Sequence, residues 1–440
     1  MKKIIKKYIV LVALLSCATT LAAQEYIRDL TALDGKRSVI REVDEERVLI
    51  ASNDTNVVTF TMYIEGQTSA VTMNFIIDDG QEYTINDFEI YKDTVYFVGR
   101  ELVYNGEDSM FMGFMGYFPL SGFPNPTVEL IYLTYNTVSR LDVCSEIAPP
   151  YNTRVIMTAT EYFNQGYLIE AKRYSATQWR VVYSTLGQDK YVDDVAVTDG
   201  YVVVTSRYPH NIEGKYHVWM FSKPFPGYDL IDYFNGYFSY GYRARCSSVC
   251  VEHCTADGFA IATTENAAKM TVRGYDAALQ IEHGGVSILH PDFYYPTELK
   301  FNPHTVSLDV LTNYTPLAVN PTPFRAPYGS MIYKLETSHL YGYNWVECRT
   351  FDDTIKSIDY RTSLTDVFVG SGISSDSPKL KVFKYTEPNF WGCSEMSDVE
   401  CLQIENRKPE SFVSEGVSFF RTIWKVNSWE DETPIEKICH

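Results

Sequence analysis

Along the chain, short runs alternate apolar and polar residues, and each is followed after a polar turn by a second run that is apolar almost throughout. Ile85-Asn86-Asp87-Phe88-Glu89-Ile90 precedes Val95-Tyr96-Phe97-Val98-Gly99. The couplet returns as Val192-Asp193-Asp194-Val195-Ala196-Val197 with Tyr201-Val202-Val203-Val204, and as Ser248-Val249-Cys250-Val251 with Phe259-Ala260-Ile261-Ala262. It returns again as Thr297-Glu298-Leu299-Lys300-Phe301 with Val306-Ser307-Leu308, and as Ile355-Lys356-Ser357-Ile358-Asp359-Tyr360 with Val367-Phe368-Val369-Gly370. Weaker copies are Val138-Ser139-Arg140-Leu141-Asp142-Val143 with Val155-Ile156-Met157, and Arg41-Glu42-Val43 with Val48-Leu49-Ile50. Period-two alternation, β-branched and aromatic residues, and Gly, Asn, Asp and Pro punctuation predict strands. No long stretch carries helical periodicity.

The shared apolar position falls at 88, 141, 195, 249, 299 and 358, in steps of 53, 54, 54, 50 and 59, and the first copy, anchored at Arg41, lies 47 before. Two further strands fit within a period. Examples are Met110 to Phe118 with Val128 to Thr134, and Lys215 to Phe221 with Tyr228 to Tyr233. Others are Met331 to Leu335 with Tyr343 to Cys348, and Leu380 to Tyr385 with Val399 to Gln403. A four-stranded sheet cannot bury both faces by itself, but sheets packed face to face around an axis can. The expected fold is therefore all-β: a seven-bladed propeller of four-stranded antiparallel blades over 24–403, with a short C-terminal extension over 404–440. In that extension, Val417 to Phe420 and Ile423 to Val426 are predicted to form a hairpin that packs on the ring or closes it.

These repeats resemble the β-propeller superfamily, at the level of architecture. The blades lack a terminal Trp-Asp, a paired-glycine signature and a Ser-x-Asp-x-Gly-x-Thr-Trp box, so no subfamily is implied. Architecture of this kind licenses no particular function.

The first residues, MKKIIKKYIVLVALLSCATTLAAQ, add a location. Lys2, Lys3, Lys6 and Lys7 precede the apolar stretch Tyr8 to Leu15, and small residues follow up to Ala22 and Ala23. That order predicts a secretory signal over 1–23. Its apolar core is shorter than the roughly 20 residues of a membrane span. Leu14-Leu15-Ser16-Cys17 also reads as a lipobox, but the later alanine pair fits the small-residue cleavage rule better. Export to the periplasm, outer surface or medium is expected, with no transmembrane segment.

Removing the four signal lysines takes the formal charge from −18 to −22. An acidic surface repels phosphate backbones, so nucleic acid is not an expected partner. Of nine cysteines, eight remain after the signal: Cys144, Cys246, Cys250, Cys254, Cys348, Cys393, Cys401 and Cys439. In an exported chain they predict disulfides, with Cys393 and Cys401 the most plausible local pair.

Candidate chemistry is sparse. Cys246, Cys250 and Cys254 surround His253, but four-residue spacing is wrong for a zinc knuckle, and a buried thiol or disulfide is the expected role. No histidine pair, nucleophile elbow, phosphate loop or dinucleotide fingerprint is present, so neither metal nor cofactor is expected. Asp87, Asp194 and Glu298 each precede an apolar anchor. They suit either an acidic ring for calcium or, as favoured here, carboxylates that accept N–H groups of neighbouring turns.

Tyrosine is abundant, at 34 residues, and clusters between strands. Tyr237 and Tyr240 lie in the link from the fourth unit to the fifth, and Tyr294 in the next link. Tyr314, Phe324 and Tyr328 lie in the loop from Thr312 to Ser330, and Tyr208 with His210 in the corresponding loop of the fourth unit. In a propeller these loops emerge on one face. Tyrosine offers a flat apolar ring and a hydroxyl, suited to sugars and peptides. The leading expectation is an exported, non-enzymatic module that binds glycan or protein through this aromatic face. The alternative is a polysaccharide hydrolase or lyase with carboxylates and tyrosines on the same face, and a third is an envelope assembly partner. Convergent buried carboxylates at the axis would favour the enzyme.

Overall fold

The computed structural model describes the strands and tight turns between Gln24 and Thr386 and three short strands beyond. Residues 1–23 and the longer connections, among them 208–214, 238–248, 316–328 and 387–402, lie outside the described residues, as do many strand side chains.

Among the described residues the strands form seven sheets, every one antiparallel. The first sheet holds Arg37–Asp44, Arg47–Asp54, Val57–Ile64 and Val71–Phe75; the second holds Glu82–Tyr91, Thr94–Asn105, Asp108–Pro119 and Glu129–Tyr132. The third holds Thr137–Ser145, Thr153–Thr160, Gly166–Arg173 and Trp179–Gly187; the fourth holds Tyr191–Val197, Tyr201–Arg207, Lys215–Ser222 and Leu230–Tyr237. The fifth begins with Val249–His253, Gly258–Asn266, Lys269–Asp276 and Ile281–Leu289, and the sixth with Phe293–Asn302, Ser307–Thr315, Gly329–Thr337 and Tyr343–Phe351. The seventh holds Thr354–Tyr360, Asp366–Ile373 and Leu380–Thr386, and its outer strand is Gln24–Leu30, from the other end of the described chain. In each sheet the first strand named is the inner one. Each inner strand packs beside that of the next sheet, and the seventh packs beside the first. The arrangement is a β-propeller.

Uniform four-stranded blades hold only in part. Five sheets have four strands; the sixth sheet has five and the fifth has six. Gln403–Asn406 pairs with Ser287 to Leu289, Thr433–Pro434 pairs onto that strand, and Thr422–Ile423 pairs with Trp345 and Val346. Gln403, expected to end the outer strand of the seventh unit, thus edges the fifth sheet. The outer strand of the seventh sheet, expected at Val399 to Gln403, is Gln24–Leu30 instead, while the extension, expected to pair with an edge or to close the ring, pairs through Ile423 with the edge of the sixth sheet. Of the expected hairpin only Ile423 is described; Val417 to Phe420 and Trp424 to Val426 lie outside the described residues.

The second strand of each couplet is apolar throughout because it faces two cores. Val95 and Phe97 join Phe60, Phe88, Phe114 and Phe118 between the first two sheets, with ring centroids 5.1–6.1 Å apart. Tyr96 and Val98, on the other face, join Met115, Leu141, Val155 and Met157 between the second and third. Ile156, Val195, Val202 and Val204 build the next core. Such alternation places these side chains in one core or the other, each worth roughly 1.5–3 kcal/mol on burial.

Candidate functional site

The inner strands carry a recurring bulge. In the second, third, fourth, sixth and seventh sheets, Asn86, Ser139, Asp193, Thr297 and Lys356 are extra residues, each two places before the apolar anchor. A bulge bends its strand and re-aims the neighbouring side chains. The residues on either side of the anchor then form two tiers at the axis. Asp87, Arg140, Asp194, Glu298 and Ser357 precede their anchors; Glu89, Asp142, Lys300 and Asp359 follow them.

These side chains fasten the second sheet to the third, the third to the fourth, the sixth to the seventh and the seventh to the first. Asp87 accepts the N–H of Leu141 at 3.3 Å, Glu298 that of Ile358 at 2.8 Å, and the Ser357 hydroxyl that of Ile40 at 3.3 Å. Two residues further on, Asp142 accepts the N–H of Val197 at 2.7 Å, and Asp359 that of Glu42 at 2.6 Å. By this pattern the first unit is anchored at Ile40, one residue before the expected Arg41, and Arg41 belongs with Glu89, Lys300 and Asp359. The carboxylates were expected to hold turn N–H groups; their acceptors serve inner strands of their own and the following sheet instead. Asp194 accepts its neighbour Val195 N–H at 3.0 Å.

Arg41 is the centre of the tiers. Its Nε meets Glu89 at 2.6 Å, Nη2 meets Asp87 at 2.9 Å, and Nη1 meets Glu298 at 3.1 Å and the Ile40 carbonyl at 2.8 Å. One guanidinium therefore reaches the second and sixth sheets, which is possible only around a common axis. Lys300 lies 3.7 Å from Glu89 and 4.0 Å from Asp359. Arg140 lies 3.9 Å from both Asp87 and Asp194, and donates across the ring to the Thr297 carbonyl at 3.1 Å.

Burial and charge divide the carboxyls. Burial pushes Asp359 up to about 6, although Lys300 and Arg41 oppose it. Burial likewise raises Asp87 against the pull of Arg41 and Arg140. Glu298 is also buried, but Arg41, Lys300 and Arg140 outweigh burial and hold it below the usual range. Burial and Arg41 work against the charge on Lys300, but Glu89, Asp359 and Glu252 raise its pKa. Among the described residues no group of three His, Cys, Asp or Glu side chains is arranged to hold a metal.

The structure brings together two of the eight aromatic-face residues. Tyr294 and Tyr314 are direct partners across the inner pair of the sixth sheet, beside Phe293 opposite Thr315. Both were expected in loops. The strands instead run on through them, as the strand preference of tyrosine favours. Tyr237 likewise ends the outer strand of the fourth sheet, opposite Lys215. Tyr208, His210, Tyr240, Phe324 and Tyr328 lie outside the described residues. Of the cysteines, only Cys144 has a described side chain, a thiol.

Sequence reasoning missed Arg41, Glu89, Arg140, Lys300 and Asp359 as one cluster. The available signal was a charge next to the apolar anchor in most units.

No family model matches the chain, and no curated protein matches it in sequence. Among solved structures it is similar to a Bombyx mori GH32 beta-fructofuranosidase, with TM-score 0.37 and 9% identity over 83% of this chain and 94% of that one. A prolyl endopeptidase gives TM-score 0.44 and 10% identity over 80% and 51%. The polysaccharide lyase Uly1 gives 0.42 and 7% over 80% and 90%.

Proposed function

We propose that the protein is an exported, seven-bladed propeller that binds glycan or protein through the aromatic face of its fourth to sixth units, without catalysis. The carrying observation is the pairing of Tyr294 with Tyr314 at the end of the sixth sheet where the links between sheets emerge. The seven-fold count is supported by the seven sheets and by the packing of the seventh inner strand beside the first. The axial acids support a structural role, since Asp87, Asp142, Glu298 and Asp359 each hold a backbone N–H of the following sheet.

Glycan arrays and protein pull-down with the mature chain, repeated with Tyr237, Tyr240, Tyr294, Tyr314 and Tyr328 each changed to Ala, test the reading. Loss of an aromatic anchor from a binding face costs about 2 kcal/mol or more of affinity, while surface changes stay within about 0.5 kcal/mol of stability. Destabilisation of roughly 3–5 kcal/mol in most variants, the cost of truncating a buried aromatic, would overturn it.

A second reading, hydrolysis or elimination on a polysaccharide, is favoured by one observation. Asp359 and Glu298 converge near Arg41 with their proton affinities pushed in opposite directions, which is what an acid and a base require. Depolymerisation that disappears in Asp359→Asn, with binding retained, would establish it over the first.

A further inference from the structure

The second sheet carries a cation that the axis does not use. Its strands Thr94–Asn105 and Asp108–Pro119 pair up to Asn105 opposite Asp108. The inner neighbour reaches Leu102 with Glu82, and the outer neighbour stops with Tyr132 opposite Phe114, apart from one bond from Leu133 N–H to the Gly113 carbonyl. The tip therefore stands clear of its sheet. Met110 is 53% exposed there and Phe111 is 37% exposed.

Arg100 lies at the base of this tip, between Thr84 and Gly113, which leaves the space opposite it without a side chain. Its guanidinium carbon is 4.2 Å from the Phe111 ring centroid. Its Nε is buried and has no hydrogen-bond partner among the described residues. Burial, the one influence resolved on it, disfavours its charge. Arg41 and Arg47, by contrast, each face carboxylates. In a chain of net charge −18, a half-buried guanidinium stacked on an exposed ring is a place for an external anion.

We propose that Arg100, Phe111 and Met110 form a subsite for a carboxylate-bearing sugar, a uronic acid residue of a polysaccharide. The planar fork of arginine matches a carboxylate, and the apolar face of a pyranose packs on Phe111 and Met110 as it does on other exposed aromatic surfaces. A peptide added as a strand would need a longer run of unpaired backbone than the tip offers, because Gly113 is already bonded to Leu133. The subsite does not depend on the aromatic face of the fourth to sixth units.

Affinity electrophoresis of the mature chain in gels containing polygalacturonate or alginate tests it, with methyl-esterified polygalacturonan, dextran and polyglutamate as comparisons. Retardation by an acidic polysaccharide, absent with the esterified and neutral polymers, is expected. Arg100→Gln should weaken it at least about tenfold, the scale of a lost charge-assisted hydrogen bond, Phe111→Ala should weaken it also through the lost ring surface, and Arg100→Lys should weaken it less than Arg100→Gln. Tyr294→Ala should leave it unchanged, which separates this subsite from the aromatic face. Phe111→Ala, a change at an exposed side chain, remains informative if Arg100→Gln folds poorly. No retardation by either uronan, equal retardation of wild type and both variants, or stronger retardation by polyglutamate would overturn the proposal.

Discussion

Asp359 and Glu298, two acids of one cluster, should affect stability with opposite dependence on pH. Asp359 is raised to about 6 in the fold, against about 4 for a free aspartate. The folded state binds its proton more tightly than the unfolded state does, so this group's contribution to stability falls as pH rises from about 4 through about 6. Asn at 359 keeps an oxygen for the Glu42 N–H and has no charge to bury. The melting temperature of Asp359→Asn, relative to wild type, should therefore climb between pH 4 and pH 7; a decline would show that the Lys300 attraction dominates. Glu298 is held below its usual range, so its contribution is present at neutral pH and lost as pH falls through its lowered value. Glu298→Gln should cost about 3–5 kcal/mol at pH 7, as breaking a buried ion pair does. Urea denaturation across pH should show that cost fading under acid. Arg41→Met, leaving Asp87, Glu89 and Glu298 facing one another, should be at least as damaging at pH 7.

Within an element, the close approach of strands fixes where side chains are forbidden. Gly116 lies opposite Phe97, and a Cβ there would sit 2.1 Å from the Phe97 Cζ and 2.8 Å from a Leu130 methyl. Phe97 is fully buried against the rings of Phe60, Phe114 and Phe118 and cannot swing away. Gly116→Ala should lower stability by about 1–3 kcal/mol, as overpacking does, measured as a shift of the denaturation midpoint with unchanged slope. The strand couplets were legible in the sequence because the first strand alternates apolar and polar residues while the second is apolar almost throughout. The bulges were not. Asn86, Ser139, Asp193, Thr297 and Lys356 share no residue type, and one extra residue leaves the local pattern almost intact. Without the bulges Asp87, Asp194 and Glu298 could be read only as a thin acidic ring or as acceptors for turn N–H groups, and their convergence with Arg41, Glu89, Lys300 and Asp359 stayed hidden. Tyr294 and Tyr314 were legible as residues of interest but were expected in loops, where the strands instead continue.

Across the whole molecule, the ring depends on a strand with little local signature. Gln24–Leu30 pairs with Leu380–Thr386 from Gln24 opposite Tyr385 to Leu30 opposite Leu380. Its sequence, QEYIRDL, has three apolar residues in seven and no partner nearby, so nothing local marks it as the closing strand. Removing 24–30 should leave the Leu380–Thr386 edge unpaired, lower the melting temperature and promote self-association through that edge. Calorimetry and light scattering on the truncated chain would check both. The same pairing also sets a schedule. A ribosome makes this strand before any other described part and its partner almost last of the seven sheets, so the earliest segment must wait through nearly all of synthesis. Each intervening sheet can settle against its neighbour as it appears, but the circle stays open until the end. Contacts so distant in sequence are slow to form, and the waiting edges are the surfaces on which incomplete chains associate. Pairing of Gln24–Leu30 with Leu380–Thr386, more than the stability of any one sheet, is then the step that closes the ring.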